Sequence, residues 1–394
     1  MISHPQAAPD GLPGTAPNDP SDPPGLPSRR RPVASSRPAW HAGVRRILII
    51  KWSALGDVAM ASAIMEDLRL AFPDASLDLN TLAPATALFA NDARFRHLLV
   101  IDTRARAHRL RQAWRWLREV RAGRYDLVVD LQSSDHTRLL VALLPFAGSR
   151  IRHRLGWRGR FPYTLNAAHA AGMAHPAARM RALLASAGIE SRTMQPALRV
   201  PEPLAQRVRK RLADHGLGAQ QFGVFMPGSQ AAGWLKRWGV EKFVHLGRLM
   251  LDHGVSRIVL LGARDEAVDC RRIARMIATS HPGRVAYLNG LHPLQIIEVG
   301  SRSLWMVAND TGIAHVAAAC SRPLVVLCGP TDPRRVKPIG PHVHALQARG
   351  GCLNCYAKSC RLAATPQCMA RIVPDRVGRM LLDGFQDTSD VVVF

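Results

Sequence analysis

The chain has 394 residues, enough for two domains of ordinary size, and 47% hydrophobic content with a mean hydropathy of −0.04 excludes wholesale disorder. No stretch holds the roughly 18 unbroken apolar residues of a membrane-spanning helix, and the proline-rich first 40 residues carry no apolar secretory core, so a cytoplasmic protein is expected. The 53 basic and 29 acidic residues give +24, but all except six of the basic residues are arginine. That skew fits codon bias as well as ligand choice, and predicts only a surface that attracts phosphates, acidic sugars and anionic head groups.

In chain order, residues 1–43 are expected to be a disordered Pro/Arg-rich tail. The apolar run Ile47-Leu48-Ile49-Ile50 predicts a buried parallel strand, and the spacing of Val58, Ala61, Met65 and Leu68 a helix over 57–72. Strands are predicted at 77–79, 98–101 and 126–130, with helices at 110–120 and 139–144. The three prolines of 196–203 suggest a linker. After it the alternation restarts with helices at 204–215, 240–253, 266–279, 294–301, 312–319 and 373–382. Strands are predicted at 222–226, 257–262, 285–288, 305–308 and 324–328. Strands alternating with helices imply two α/β, doubly wound Rossmann-like lobes, 44–200 and 201–372, followed by a C-terminal helix and tail at 373–394. Ligands in such sheets bind at the carboxyl ends of the strands.

Four strand-to-helix turns carry the chemistry. Lys51-Trp52-Ser53-Ala54-Leu55-Gly56-Asp57 follows the first strand; Gly56 allows close backbone approach, and Asp57 suits either a helix cap or a general base. It is neither a G-x-G-x-x-G nor a G-x-x-x-x-G-K-[ST] loop, which removes the dehydrogenase and P-loop kinase readings. Pro227-Gly228-Ser229-Gln230 with Lys236 and Arg237 can cradle a diphosphate. Glu266, after Gly262, can accept hydrogen bonds from ribose or cap its helix. Asn309-Asp310-Thr311-Gly312 with His315 one turn on, then Gly329-Pro330-Thr331-Asp332-Pro333, is the most specific group.

These motifs, in this order, resemble glycosyltransferase family nine, the ADP-heptose:lipopolysaccharide heptosyltransferases. The resemblance runs from about residue 45 to 377 and implies a GT-B fold whose two lobes face a cleft. It implies an inverting transfer of heptose from ADP-heptose to a lipid-linked lipopolysaccharide inner-core acceptor, with no cofactor and no metal. Carried over, Asp57 is the base and Lys236 stabilises the leaving diphosphate. Gly228, Ser229, Glu266, Asp310, Thr311, Gly312 and His315 bind the donor, while Ser53, Gly56, Gln132 and Arg138 face the acceptor. The segment Gln132-Ser133-Ser134-Asp135-His136-Thr137-Arg138 departs from the Gln-Gly-plus-basic pattern of many relatives, which leaves the acceptor sugar open. The expected site is the inner face of the inner membrane, bound peripherally to its anionic surface. The alternatives are a relative using another nucleotide sugar or acceptor and, from another class, a basic nucleic-acid-binding protein; no nucleic-acid-binding module is recognisable, so nucleic acid is not an expected partner.

Two weaker features remain. Cys352, Cys355, Cys360 and Cys368 are four thiols within 17 residues and could chelate zinc or act as free thiols. In the arginine-rich helix over 104–124 the stripe Leu110, Ala113, Trp114 and Leu117 is expected in the core, with Arg109, Arg111, Arg115 and Arg118 facing anionic lipid. A loop over 150–160, with five arginines, could bind acceptor phosphate or carboxylate groups.

Overall fold

The computed structural model describes residues 38–101, 109–157, 161–166, 173–218, 221–229, 231–350, 352–362, 366–384 and 391–393; the tail up to residue 37 lies outside them. In the first lobe β1 (Arg46–Ile50), β2 (Ser76–Thr81), β3 (Phe95–Val100), β4 (Leu127–Asp130), β5 (His153–Gly156) and β6 (Leu165–Asn166) form a parallel sheet in the order β3-β2-β1-β4-β5-β6. Its helices are α1 (Leu55–Ala71), α2 (Ala83–Thr86), α3 (Arg109–Gly123), α4 (Asp135–Leu143) and α5 (Pro176–Ser186). The apolar run of β1 is explained by alternation: Ile47 and Ile49 pack with α1 and α5, while Leu48 and Ile50 pack with α3 and α4 on the opposite face.

The second lobe opens with α6 (Glu202–Asp214) and β7 (Phe222–Met226). It continues through α7 (Val240–Asp252), β8 (Arg257–Gly262), α8 (Ala267–Ala278), β9 (Val285–Asn289) and α9 (Pro293–Ser301). Then come β10 (Met306–Asn309), α10 (Gly312–Ala317), β11 (Leu324–Cys328), α11 (Pro333–Val336) and β12 (Val343–Ala348), followed by α12 (Gln367–Ala370), α13 (Pro374–Asp383) and β13 (Val391–Val393). The sheet order is β13-β12-β11-β10-β7-β8-β9, parallel except for β13, which pairs antiparallel with β12.

The two lobes share a core. α1 packs on α10, and one apolar cluster runs through Val58, Met65 and Leu183 of the first lobe to Ala314, Val326 and Ala345 of the second. The segment leading into the linker is held to the first lobe, where Asp67 Oδ1 accepts from the backbone N–H of Arg192 (3.1 Å) and Thr193 (2.9 Å). Across the gap, His175 Nδ1 accepts from Ala177 N, so Nε2 carries the proton and donates to the Lys337 carbonyl at 2.8 Å. Burial holds the His175 pKa below the usual histidine value, consistent with this neutral ring. Two doubly wound lobes facing a cleft make this the GT-B fold.

Three expectations change. Leu110 and Trp114 lie at the surface: the buried arc of α3 is centred on Trp116, Leu117 and Val120, and at about 100° per residue Trp114 falls outside it, whereas Leu110 lies within about 20° of Leu117 and is exposed in the first turn of the helix. Residues 104–108 and the Arg109 side chain lie outside the described residues. The loop over 150–160 contains β5: Arg154 donates from Nε to the Pro162 carbonyl (2.7 Å) and from Nη1 to that of Ile151 (3.0 Å), so it braces backbone. Residues 158–160 are again outside the description. Finally, Pro38–Gly43 are placed: a turn at Ala39–His41 sets the Trp40 ring 4.9 Å from that of His153.

Candidate active site

β1 ends at Ile50, and the turn that opens at Lys51 is fixed from beneath. Gln132 Oε1 accepts from the N–H groups of Trp52 (3.0 Å) and Ser53 (3.2 Å). Buried Asn80 accepts from two indoles, Trp52 Nε1 at 2.8 Å and Trp116 Nε1 at 3.0 Å. Asp130, at the end of β4, accepts from Gln132 N (3.0 Å), Ser133 N (2.9 Å) and the Tyr163 hydroxyl (2.6 Å). Burial raises the Asp130 pKa against the pull of these donors. Gln132 therefore shapes the turn. Arg138 donates to the Phe161 carbonyl at 2.9 Å and is not among the residues lining the cleft cavity, while Ser53 is exposed.

Asp57 caps its helix and also faces the cleft. Its Oδ2 accepts from Ala54 N at 3.2 Å, capping α1, and its side chain lines a cavity of about 290 Å³ between the lobes. Lys236, Ser229, Asp310, Thr311, Gly312 and His315 of the second lobe line the same cavity. The lobes meet tightly: a Cβ on Gly56 would stand 2.6 Å from His315 Cδ2, so only glycine fits against that ring. Beneath this contact Lys51 is buried. Desolvation lowers its pKa, and the charges of Asp57 and Asp130 push back.

In the second lobe a buried amide ties two turns together. Asn309 Nδ2 donates to the Pro227 carbonyl (2.6 Å), and its Oδ1 accepts from Trp238 N (3.2 Å); unpairing these groups would cost about 1–3 kcal/mol. Arg237 is spent on structure, bonding the Ser229 carbonyl (3.0 Å) and Asp269 (2.9 Å). Lys236 instead points inward: its Nζ lies 2.8 Å from Asp310 Oδ2, which also accepts from Thr331 Oγ1 at 2.9 Å. A second cavity of about 520 Å³ adjoins the first at Leu55, Thr311 and Gly312. Its walls are apolar (Leu261, Leu288, Ile296, Ile313), with Glu266 over Gly228, where a Cβ would collide with the carboxyl group. Burial raises the Glu266 pKa, opposed by the hydrogen bond from Ala263 N at 2.9 Å.

Lys51, Asp130 and Thr331 were not among the predicted site residues. A charged residue closing each of two apolar strands and a threonine inside Gly-Pro-Thr-Asp-Pro were the available signals. The four clustered cysteines line one cavity of about 530 Å³, and among the described residues no three His, Cys, Asp or Glu side chains are arranged to hold a metal ion.

His315 gives a pH prediction. Burial drives its pKa down to about 4, against the opposing charges of Asp310 and Asp57, and its Nδ1 has no hydrogen-bond partner. An unfolded imidazole protonates near 6.5 and the folded one near 4, so between these values protons favour the unfolded chain. The stability contribution is complete above pH 6.5 and falls as pH drops toward 4, by up to about 3 kcal/mol. Urea unfolding of His315→Asn should show a correspondingly shallower loss over that window; an unchanged slope would mean that His315 is not the titrating group.

The sequence profile described as glycosyltransferase family 9 (heptosyltransferase) matches residues 113–365. Lipopolysaccharide heptosyltransferase 2 of Escherichia coli K12 is 28% identical over 308 residues, 75% of this chain and 85% of that protein. Lipooligosaccharide heptosyltransferase 2 of Haemophilus influenzae is 27% identical over 304 residues, 74% and 86% respectively. Among solved structures, E. coli ADP-heptose lps heptosyltransferase II superposes with a TM-score of 0.66 at 23% identity, covering 86% of this chain and 99% of that one. The E. coli heptosyltransferase WaaC with ADP gives 0.62 at 22%, with the same coverage. With the profile spanning most of both lobes and the turns after β1, β7 and β10 meeting at one cleft, the chain belongs to glycosyltransferase family 9, the heptosyltransferases.

Proposed function

We propose that this enzyme transfers a heptose from ADP-heptose to a lipid-linked lipopolysaccharide inner-core acceptor, with inversion and without a divalent metal. The observation that carries the reading is the meeting of Asp57 from one lobe and Lys236 from the other in one small cavity, adjoining an apolar pocket under Glu266. Adenosine occupies the larger pocket, its base against the leucines and isoleucines and its ribose toward Glu266. The diphosphate lies at Ser229, Lys236 and the Thr311-Gly312 turn, and the heptose reaches the Asp57 cavity. Asp57 takes the proton of the acceptor hydroxyl as its oxygen bonds to the anomeric carbon; the bond to the phosphate oxygen breaks with its electron pair, leaving ADP. The negative charge gathering on that oxygen is met by the Lys236 ammonium, the role a metal fills elsewhere.

In this reading the first lobe holds the acceptor, with Ser53 and Gly56 at the mouth, and the enzyme works at the cytoplasmic face of the inner membrane, held peripherally to anionic lipid. The lobes divide near residues 200 and 201. The names of the relatives support the sugar and acceptor classes.

Thermal unfolding tests the donor. ADP at a hundred times its Kd is expected to stabilise the protein by about 2.7 kcal/mol, with no response to UDP. Turnover is then read with ADP-heptose against truncated lipopolysaccharides. Equal protection by UDP, or no turnover with any heptose-deficient core, would overturn the assignment.

A further inference from the structure

We infer that the outer face of α3 and α4 seats on an anionic bilayer, with Leu110 and Trp114 entering the boundary between head groups and acyl chains. This deepens the proposed function and rests on it for the lipid-linked acceptor. α3 and α4 touch and cover the same face of the first sheet, so their outward sides form one surface. On that surface Leu110 is 81% and Trp114 65% exposed, and Leu139 and Phe146 are also exposed. Exposed Phe161 joins them, since its carbonyl accepts from Arg138 of α4. Large apolar side chains on several adjoining segments amount to more than the scattered exposure of an ordinary surface.

Charge complementarity selects the occupant. Arg111, Arg115 and Arg118 are exposed around Leu110 and Trp114, and Glu119 on the same helix is paired with Arg115 at 2.7 Å. Arg115, Arg118, Arg121 and Arg124, with Glu119 paired to the first of them, line a shallow depression of about 660 Å³, and the guanidinium groups of the other three suit phosphate oxygens. A second copy of this +24 chain would bring arginines against arginines. An anionic bilayer satisfies both halves of the surface. Tryptophan and leucine enter the interface, and the arginines lay their stems along it with their heads on the phosphates. α4 starts just beyond Gln132, under the active-site turn, so an acceptor lifted from the bilayer has a short path to the cleft.

Flotation of the full chain with phosphatidylethanolamine–phosphatidylglycerol vesicles, against neutral phosphatidylcholine vesicles, tests the inference. Wild type is expected to float with the anionic vesicles, and Leu110→Ser/Trp114→Ser to bind about tenfold less or weaker, with its protection by ADP unchanged. A second reading does not depend on the double variant folding: lipids brominated in the acyl chain should quench wild-type tryptophan fluorescence, and Trp114→Phe should remove that quenching. Equal flotation of the double variant, or quenching indifferent to Trp114→Phe, would overturn the inference. So would self-association abolished by the double variant in a protein that ignores vesicles, because the face would then join two copies. Vesicle binding is read without donor or turnover, so its failure leaves heptosyl transfer standing, and a failure of ADP to protect leaves the vesicle result standing.

Discussion

Asp57→Asn is expected to lower kcat for heptosyl transfer by about a hundredfold to ten-thousandfold while ADP affinity stays within about twofold. The asparagine keeps an oxygen for the Ala54 N–H that Asp57 Oδ2 accepts at 3.2 Å, so the first turn of α1 is preserved. What is lost is a group able to take a proton at the cleft. The pocket proposed for the nucleotide is built almost wholly from the second lobe, which is why ADP binding should not follow turnover. Saturating-donor kinetics beside an ADP titration by calorimetry separates the two quantities. Retained turnover would leave Asp57 as a helix cap alone. Asp57→Ala is the poorer variant, since loss of the cap costs about 1 kcal/mol and mixes stability with chemistry.

The parallel sheets were legible because their central strands are short apolar runs bounded by turns, and β1, β7 and β11 show this directly. The edges were not. β5 is His153-Arg154-Leu155-Gly156, with no apolar run, and its placement depends on pairing with β4 and β6. At the site, Asp57, Lys236 and the Asn309–Gly312 turn were readable as motifs after strands. Their convergence was not, because it comes from α1 packing on α10 and from His315 lying on Gly56. Lys236 and Arg237 are adjacent and alike in charge, yet only the structure separates the one that faces the cavity from the one that braces Ser229. On α3 the apolar stripe is legible but its two exposed members are not: Trp114 lies beyond the buried arc, and Leu110 shares the phase of Leu117 but stands in the helix's first turn.

Lys236→Met should lower kcat/KM by about a hundredfold to a thousandfold, through loss of the cation proposed to meet the leaving diphosphate. Unlike the change at Asp57, it should also weaken ADP, because the same ammonium faces the ground-state phosphates. It has a structural consequence that must be separated from the chemical one. Asp310 is only 5% exposed, and without Lys236 its carboxylate keeps the Thr331 hydroxyl at 2.9 Å as partner. Stranding a buried charge costs about 3–5 kcal/mol, and the partial exposure of Lys236 puts this pair at or below the lower end. The double variant Lys236→Met/Asp310→Asn removes that charge and should recover most of the lost thermal stability with no recovery of turnover. If turnover returned together with stability, the lysine would be a counter-ion for Asp310 and the leaving group would need another source of positive charge. If stability returned alone, the ion pair with Asp310 is the resting place of a cation whose work is on the phosphate.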